Sequence, residues 1–399
     1  MRAVLILLVV VVLAAVVLGG VQLTRGVPQP RLRVAVASTA KVPGTPPALS
    51  WPGQGSAVAS IEGVGTIGTS NPSAQYPIAS VTKMMTALLV LRDHPLGVNQ
   101  QGPSITVSPA DVSLYQSERA AGDSVMQVVA GERLSEYQAL EALLIPSADN
   151  VAALLAEWDA GSTGAFVAKM NAEAKHLGLT RTVYAGVSGA DPATVSTVTD
   201  QLIVAADCMA NPVFRQIVAK PQATLPLAGV VYNVNSLLGT DGIIGVKTGW
   251  VPAGGASFVF AAKRTSPIGP VTVLGAVFGQ KSATPLASAF AAARNLIAAV
   301  PSVVRRVSVI SSGTVVGHID SAYATPVPLV TAGSASLVAW PGATYDLAFH
   351  ATGTISAPLA AGTKVGELVA TFGTRHVSVP VVTAKALPTA SLSWKLKRF

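Results

Sequence analysis

Apolar residues run without a charge or strong polar break over residues 3–21, directly after Arg2. Nineteen residues at about 1.5 Å each reach roughly 28 Å, close to the hydrocarbon thickness of a bilayer. The run exceeds the roughly 7–15 apolar residues usual in a signal-peptide core. A small-x-small triplet, Ala35-Val36-Ala37, lies beyond Arg25, Arg31 and Arg33, far from the run for a cleavage site. The pattern therefore favours an uncleaved N-terminal membrane anchor within residues 1–23 over a cleaved signal, with the rest of the chain exported in either case. Residues 24–55 are rich in Pro, Ser, Thr, Gly and Ala, and read as a tether.

Beyond the tether the periodicity alternates between strand and helix. Residues 56–67 are short, β-branched and broken by glycine, as in a hairpin. Residues 81–91 are apolar on most sides, which predicts a buried helix. A helical pattern over 137–158 is interrupted at Pro146, and a further helix over 165–177 ends at Gly178. Residues 243–246, 256–262 and 271–278 read as strands of one antiparallel sheet, and 290–299 returns to a helix. Strands at both ends with helices between them predict an α+β domain over 56–300. From residue 301 to 399 the runs 303–310, 314–319, 327–331, 336–340, 345–349, 365–372 and 376–383 are short and β-rich, divided by Gly, Pro or Ser. They predict a small all-β domain. The closing Trp394-Lys395-Leu396-Lys397-Arg398-Phe399 is a basic, aromatic tail.

Composition narrows the classes. Half the residues are hydrophobic and only 12% charged, so the chain can bury a large core and is not intrinsically disordered. Lys and Arg total 27 against 19 Asp and Glu, a net +8 spread thinly. Without a basic run this is no nucleic-acid signature, but it suits an anionic membrane or wall polymer. Cys208 is the single cysteine, which excludes an intrachain disulfide and a cysteine metal cluster, and its apolar surroundings read as core. His94, His176, His318, His350 and His376 are scattered and form no Ser-His-Asp pattern. Carboxylates are too sparse to argue a metal site, and no cofactor is expected.

Three short constellations can carry chemistry. Ser80 and Lys83, in Ala79-Ser80-Val81-Thr82-Lys83, stand three apart at the opening of the apolar helix, so they share a face. A serine hydroxyl is a poor nucleophile until a neighbour takes its proton, and a lysine does so when burial depresses its pKa. Lys247-Thr248-Gly249 follows an apolar strand. A cation and a hydroxyl there hold a carboxylate, while glycine lets a substrate approach the backbone. Pro146-Ser147-Ala148-Asp149-Asn150 sits at a helix break. It offers a hydroxyl for proton shuttling and an amide to hold a peptide; equally, Ser147 is a good N-cap with Asn150 at the third helical position. Each motif alone is common. Their order, with spacings of about 65 and then about 100 residues, is the trio of penicillin-binding proteins and β-lactamases.

The chain thus resembles the serine D-Ala-D-Ala carboxypeptidases, the low-molecular-mass penicillin-binding proteins, over about residues 56–300. Tyr76-Pro77-Ile78-Ala79-Ser80, Gly131-Glu132-Arg133-Leu134, Met170-Asn171-Ala172, His176-Leu177-Gly178-Leu179, Tyr232-Asn233-Val234-Asn235 and Asp241-Gly242-Ile243-Ile244-Gly245-Val246-Lys247 carry the resemblance with the three motifs. Residues 357–368 resemble the β-domain that follows the catalytic domain in this family. The resemblance implies attack by Ser80 on the penultimate D-alanine of a peptidoglycan stem peptide, with Lys83 as base and Ser147 relaying a proton. It implies substrate contacts at Asp149, Asn150, Lys247, Thr248, Gly249 and Trp250, an oxyanion hole from the backbone N–H groups of Ser80 and Trp250, and acylation by β-lactams. The indole of Trp250 is expected to pack. Membrane attachment and an extracytoplasmic catalytic domain follow from residues 3–21. A β-lactamase, an endopeptidase or a non-catalytic wall-peptide-binding module are the alternatives. One departure stands out: the family's Ser-x-Asn reads Ser147-Ala148-Asp149 here, with Asn150 one place late. A carboxylate cannot donate a hydrogen bond unless protonated, and it favours a protonated lysine nearby.

Overall fold

The computed structural model describes residues 2–398, which form two compact units. One runs from Pro47 to Arg305, and the other joins the chain up to Pro46 with the chain from Arg306 onward. The first is built on a five-stranded antiparallel sheet. Its strands lie in the order Ile243–Val251, Gly255–Ser266, Gly269–Gln280, Ser56–Ile61 and Gly65–Ser70. The expected hairpin and the three expected strands therefore share one sheet, with Ile243–Val251 at its edge. Helix Pro285–Val303 packs on the Gly255–Ser266 and Gly269–Gln280 strands. Helix Val198–Ala210 also packs on the sheet and in turn touches Lys83–Asp93.

Lys83–Asp93 is the central helix. Eight of its residues, from Lys83 to Leu91, are buried, as a helix apolar on most sides requires. Glu136–Leu144 and Asp149–Ala160 pack against it, separated by the break at Ile145–Ala148 that Pro146 enforces. Glu136–Leu144 opens with a capping box, in which Ser135 Oγ accepts from the Gln138 N–H and Gln138 accepts from the Ser135 N–H. Cys208 is buried in this core, and its thiol donates to the Met84 carbonyl at 3.4 Å.

The second unit carries a seven-stranded antiparallel sheet with its own apolar core around Val316, Leu329, Leu368 and Val381. The order is Arg31–Val34, Val315–Asp320, Val327–Thr331, Arg375–Thr383, Lys364–Phe372, Thr344–Ala351 and Thr39–Lys41. Both edges come from the segment expected to be a free tether, residues 24–55, and that expectation needs correcting. Arg31–Val34 pairs with Val315–Asp320, and Thr39–Lys41 pairs with Thr344–Ala351. The physical reason is the sheet's need to cover its edges, which strands of four and three residues meet despite the surrounding prolines. Arg33 adds an ion pair to Asp320 at 3.1 Å.

Helix Arg2–Thr24 belongs to this unit, is long and apolar enough to cross a membrane, and has almost every described side chain exposed. Its C-terminal end is held by the tail of the chain. The Arg398 guanidinium donates to the carbonyls of Gln22 at 2.8 Å, Gly26 at 3.0 Å and Arg25. A cation placed on the last carbonyls of a helix is favourable.

Candidate active site

Ser80 lies in a 3₁₀ turn, Ala79–Thr82, that runs directly into the Lys83–Asp93 helix. Side chains three apart eclipse in a 3₁₀ turn, which brings Lys83 Nζ to 2.8 Å from Ser80 Oγ. Ala79, just before the serine, has φ +48, a left-handed conformation that an L side chain adopts only when its surroundings enforce it. Thr82 Oγ1 closes the turn by donating to the Ala79 carbonyl at 2.7 Å.

The Lys83 ammonium is completely buried and has three acceptors. They are Ser80 Oγ, the Ser188 carbonyl at 3.1 Å and Asp149 Oδ1. Burial holds its pKa below the usual lysine range, and Asp149 acts in the opposite direction. Lys247 is also buried and donates to Ser147 Oγ at 2.9 Å and to the Thr248 carbonyl at 3.1 Å. Its pKa is pushed well down, by burial first and then by the charge of Lys83. Ser147 is 2% exposed with φ +68 and caps no helix; helix Asp149–Ala160 starts after Ala148 without a side-chain cap. The turn instead aims the Ser147 hydroxyl at Lys247. So Ser80 and Lys83 form one pair and Ser147 and Lys247 another, with the two lysines close enough to repel.

The one-residue ambiguity at Asp149 and Asn150 is resolved by their partners. Asp149 receives Lys83. Asn150, expected among the substrate-binding residues, faces the other way: its Oδ1 accepts from the Met126 N–H and its Nδ2 donates to the Met126 carbonyl, both at 2.9 Å. At 3% exposure it is a structural clamp on the 122–126 loop, and that expectation is corrected. The Asp149 N–H ties the same loop through the Ser124 carbonyl at 2.7 Å.

Strand Ile243–Val251 runs past the serine turn. A side chain at Gly249 would meet the Ile78 carbonyl at 2.6 Å and the Ser80 nitrogen at 3.1 Å. This glycine therefore lets the strand press against the turn that carries Ser80, where substrate approach was expected to be its reason. Thr248 is buried beside Lys247, whereas the Trp250 indole, expected to pack, is half exposed.

Three participants carried no usable sequence signal. Ser188 acts through its backbone carbonyl and lies 105 residues from Lys83. Glu118, near the end of helix Pro109–Ala121, has a buried, unpartnered oxygen, and burial together with the charges of Asp149 and Asp123 pushes its pKa up to about 7. Asp123 is raised as well, by burial and then by Asp149. A single carboxylate on a helix end has no local pattern that marks it as facing a lysine.

The sequence profile of the D-alanyl-D-alanine carboxypeptidase family, peptidase S11, matches residues 63–281. The chain belongs to this family. It is 32% identical over 228 residues to the D-alanyl-D-alanine carboxypeptidase DacB2 of Mycobacterium tuberculosis, covering 55% of this chain and 74% of that protein. It is 30% identical over 256 residues to a D-alanyl-D-alanine endopeptidase of Pseudomonas aeruginosa, covering 61% and 78%. Penicillin binding protein 5 of Haemophilus influenzae superposes with a TM-score of 0.60 at 19% identity, over 86% of this chain and 99% of that one, so the fold is that of the penicillin-binding proteins. The carboxypeptidase family is one of serine hydrolases acting on peptidoglycan, and the Ser80–Lys83 pair lies inside the matched segment.

Proposed function

We propose that the chain is a membrane-anchored D-alanyl-D-alanine carboxypeptidase that works through an acyl-enzyme on Ser80. The observation that carries this reading is the 2.8 Å contact between Ser80 Oγ and the buried Lys83 Nζ, in a segment matched by the family profile. Ser80 attacks the carbonyl of the penultimate D-alanine as Lys83 takes its proton. The backbone N–H groups of Ser80 and Trp250 receive the developing oxyanion, the family's arrangement for acyl transfer. Lys247 and Thr248 bind the terminal carboxylate, and Ser147, held by Lys247, passes a proton to the departing D-alanine. Water then releases the shortened peptide. β-Lactams, which present a carboxylate and a strained amide to the same groups, acylate Ser80. Helix Arg2–Thr24 anchors the protein, with the catalytic unit on the extracytoplasmic face.

The test is mass spectrometry of the full chain after incubation with a fluorescent penicillin. The expected result is one adduct, on the peptide containing Ser80, and none on Ser80→Ala. An adduct on the alanine variant removes Ser80 as nucleophile. Release of D-alanine from a pentapeptide supports carboxypeptidase action; cleavage of cross-linked dimers alone would make it an endopeptidase, and rapid turnover of the penicillin a β-lactamase.

A further inference from the structure

The three contacts of Lys83 pose a problem for a simple serine–lysine mechanism. An ammonium has three N–H donors, and here each has an acceptor: Ser80 Oγ, the Ser188 carbonyl and Asp149 Oδ1. In that state the nitrogen has no lone pair with which to accept the proton of Ser80. It must first lose one of its own. Lys83 is fully buried and Asp149 is 6% exposed, so water has little access to the pair. Of the three acceptors, the Ser188 carbonyl is far too weak a base and Ser80 is the proton donor of the reaction. The Asp149 carboxylate remains. On sequence alone Asp149 is a charge that keeps Lys83 protonated; the geometry gives that proton a place to go.

We propose, building on the acyl-enzyme reading, that Asp149 is a third catalytic residue: it takes a proton from Lys83 as Lys83 takes the hydroxyl proton of Ser80. One Nζ–H bond breaks and an Oδ1–H bond forms. The Ser80 O–H bond breaks and a new Nζ–H bond forms. The Oγ electron pair makes the bond to the substrate carbonyl carbon, whose π pair moves to oxygen. Net charge is unchanged, because the pair Lys83⁺/Asp149⁻ becomes Lys83⁺, neutral Asp149 and an oxyanion. On collapse the carbonyl re-forms, the C–N bond breaks, and the leaving nitrogen takes its proton from Lys83 through Ser147. Asp149 then returns its proton to Lys83 and the ion pair is restored.

The surroundings favour this exchange. Burial holds the Lys83 pKa down, so its ammonium gives up a proton more readily than an exposed lysine does. Lys247 on the facing strand repels the Lys83 charge and acts in the same direction, whereas Glu118 on helix Pro109–Ala121 and Asp123 beyond its end oppose it. An amide at this position could not take up a proton in this way.

The two readings of Asp149 differ in pH dependence and in the number of protons in flight. In the relay the competent form of the pair holds one proton, so activity persists until a second proton binds. If Asp149 merely holds Lys83 protonated, the competent form holds none, and activity needs a higher pH. The experiment measures acylation of the full chain by a fluorescent penicillin, against pH and in H₂O/D₂O mixtures, for wild type, Asp149→Asn and Asp149→Glu. The relay is expected to give a bowed dependence on deuterium fraction in the wild type and a straight line in Asp149→Asn. It also places the acid limb of Asp149→Asn at higher pH, by about one unit or more, with Asp149→Glu restoring both features. A straight line in the wild type overturns the relay whether or not the variants fold. So does an acid limb that moves to lower pH in Asp149→Asn. No adduct on the wild type at all would sink the acyl-enzyme reading itself, and the relay with it.

Discussion

Asn150→Ala separates a structural asparagine from a substrate-binding one. Its side chain satisfies both backbone groups of Met126, a residue that is itself 2% exposed. Truncation leaves a buried N–H and a buried carbonyl without partners, at a cost of about 1–3 kcal/mol each, or roughly 2–5 kcal/mol together after some relaxation. At roughly 2–4 °C per kcal/mol for a domain of this size, the unfolding midpoint of the catalytic unit should fall by about 4–20 °C. Calorimetry on the full chain in detergent measures it. Penicillin acylation at low temperature, where the variant is still folded, should stay within about threefold of wild type, because the side chain does not face Ser80. An unmoved midpoint with acylation lost more than tenfold would refute the reasoning. It would mean that the amide reaches into the cleft and that Met126 does not depend on it.

Other outcomes follow from the same contacts. Lys247→Ala should weaken ligands bearing a free terminal carboxylate by roughly 1.5–3 kcal/mol, more than their amidated analogues; equal losses in competition binding would count against the carboxylate role. Gly249→Ala places a methyl group 2.6 Å from the Ile78 carbonyl, so acylation should collapse, and a wild-type rate would show that the strand and the serine turn are not pressed together. Glu136 is fully buried with both oxygens unpartnered, and burial raises its pKa from 4.5 to about 7. A carboxyl raised on folding favours the protonated folded state, so stability should fall as pH rises from about 5 to about 7 and level off above, by roughly 1–3 kcal/mol in all. Glu136→Gln should flatten that slope in urea titrations at several pH values; an identical slope would place the titration elsewhere.

Much of this was legible in the chain because the relevant signals are local. Ser80 and Lys83 are three residues apart at an apolar helix, and Lys247-Thr248-Gly249 directly follows an apolar run. The hairpin and the long antiparallel strands show in their alternation. What stayed hidden depends on geometry that sequence does not print. The choice between Asp149 and Asn150 turns on the left-handed backbone of Ser147, a conformation no serine announces. Ser188 contributes a backbone carbonyl, an atom every residue has. Strands Arg31–Val34 and Thr39–Lys41 are too short to show periodicity and gain their structure from partners some 280 to 310 residues away.

The arrangement also explains why a carboxylate is tolerable at position 149. Two lysines are buried together, and each would be costly as an unpaired charge. Asp149 contacts Lys83; among the described residues no carboxylate contacts Lys247, which has only the Ser147 hydroxyl and the Thr248 carbonyl. The site thus holds one internally neutralised lysine and one without a counter-ion, whose pKa is pushed well down. In the proposed reaction the missing anion is the carboxylate of a terminal D-alanine. Its carboxylate beside Lys247 would favour the ammonium form there, and a charged Lys247 favours loss of a proton from its neighbour Lys83. In the proposed mechanism, substrate binding at one lysine would therefore drive the other toward the state that can accept the proton of Ser80. A peptide lacking the terminal carboxylate would forfeit that coupling as well as the contact.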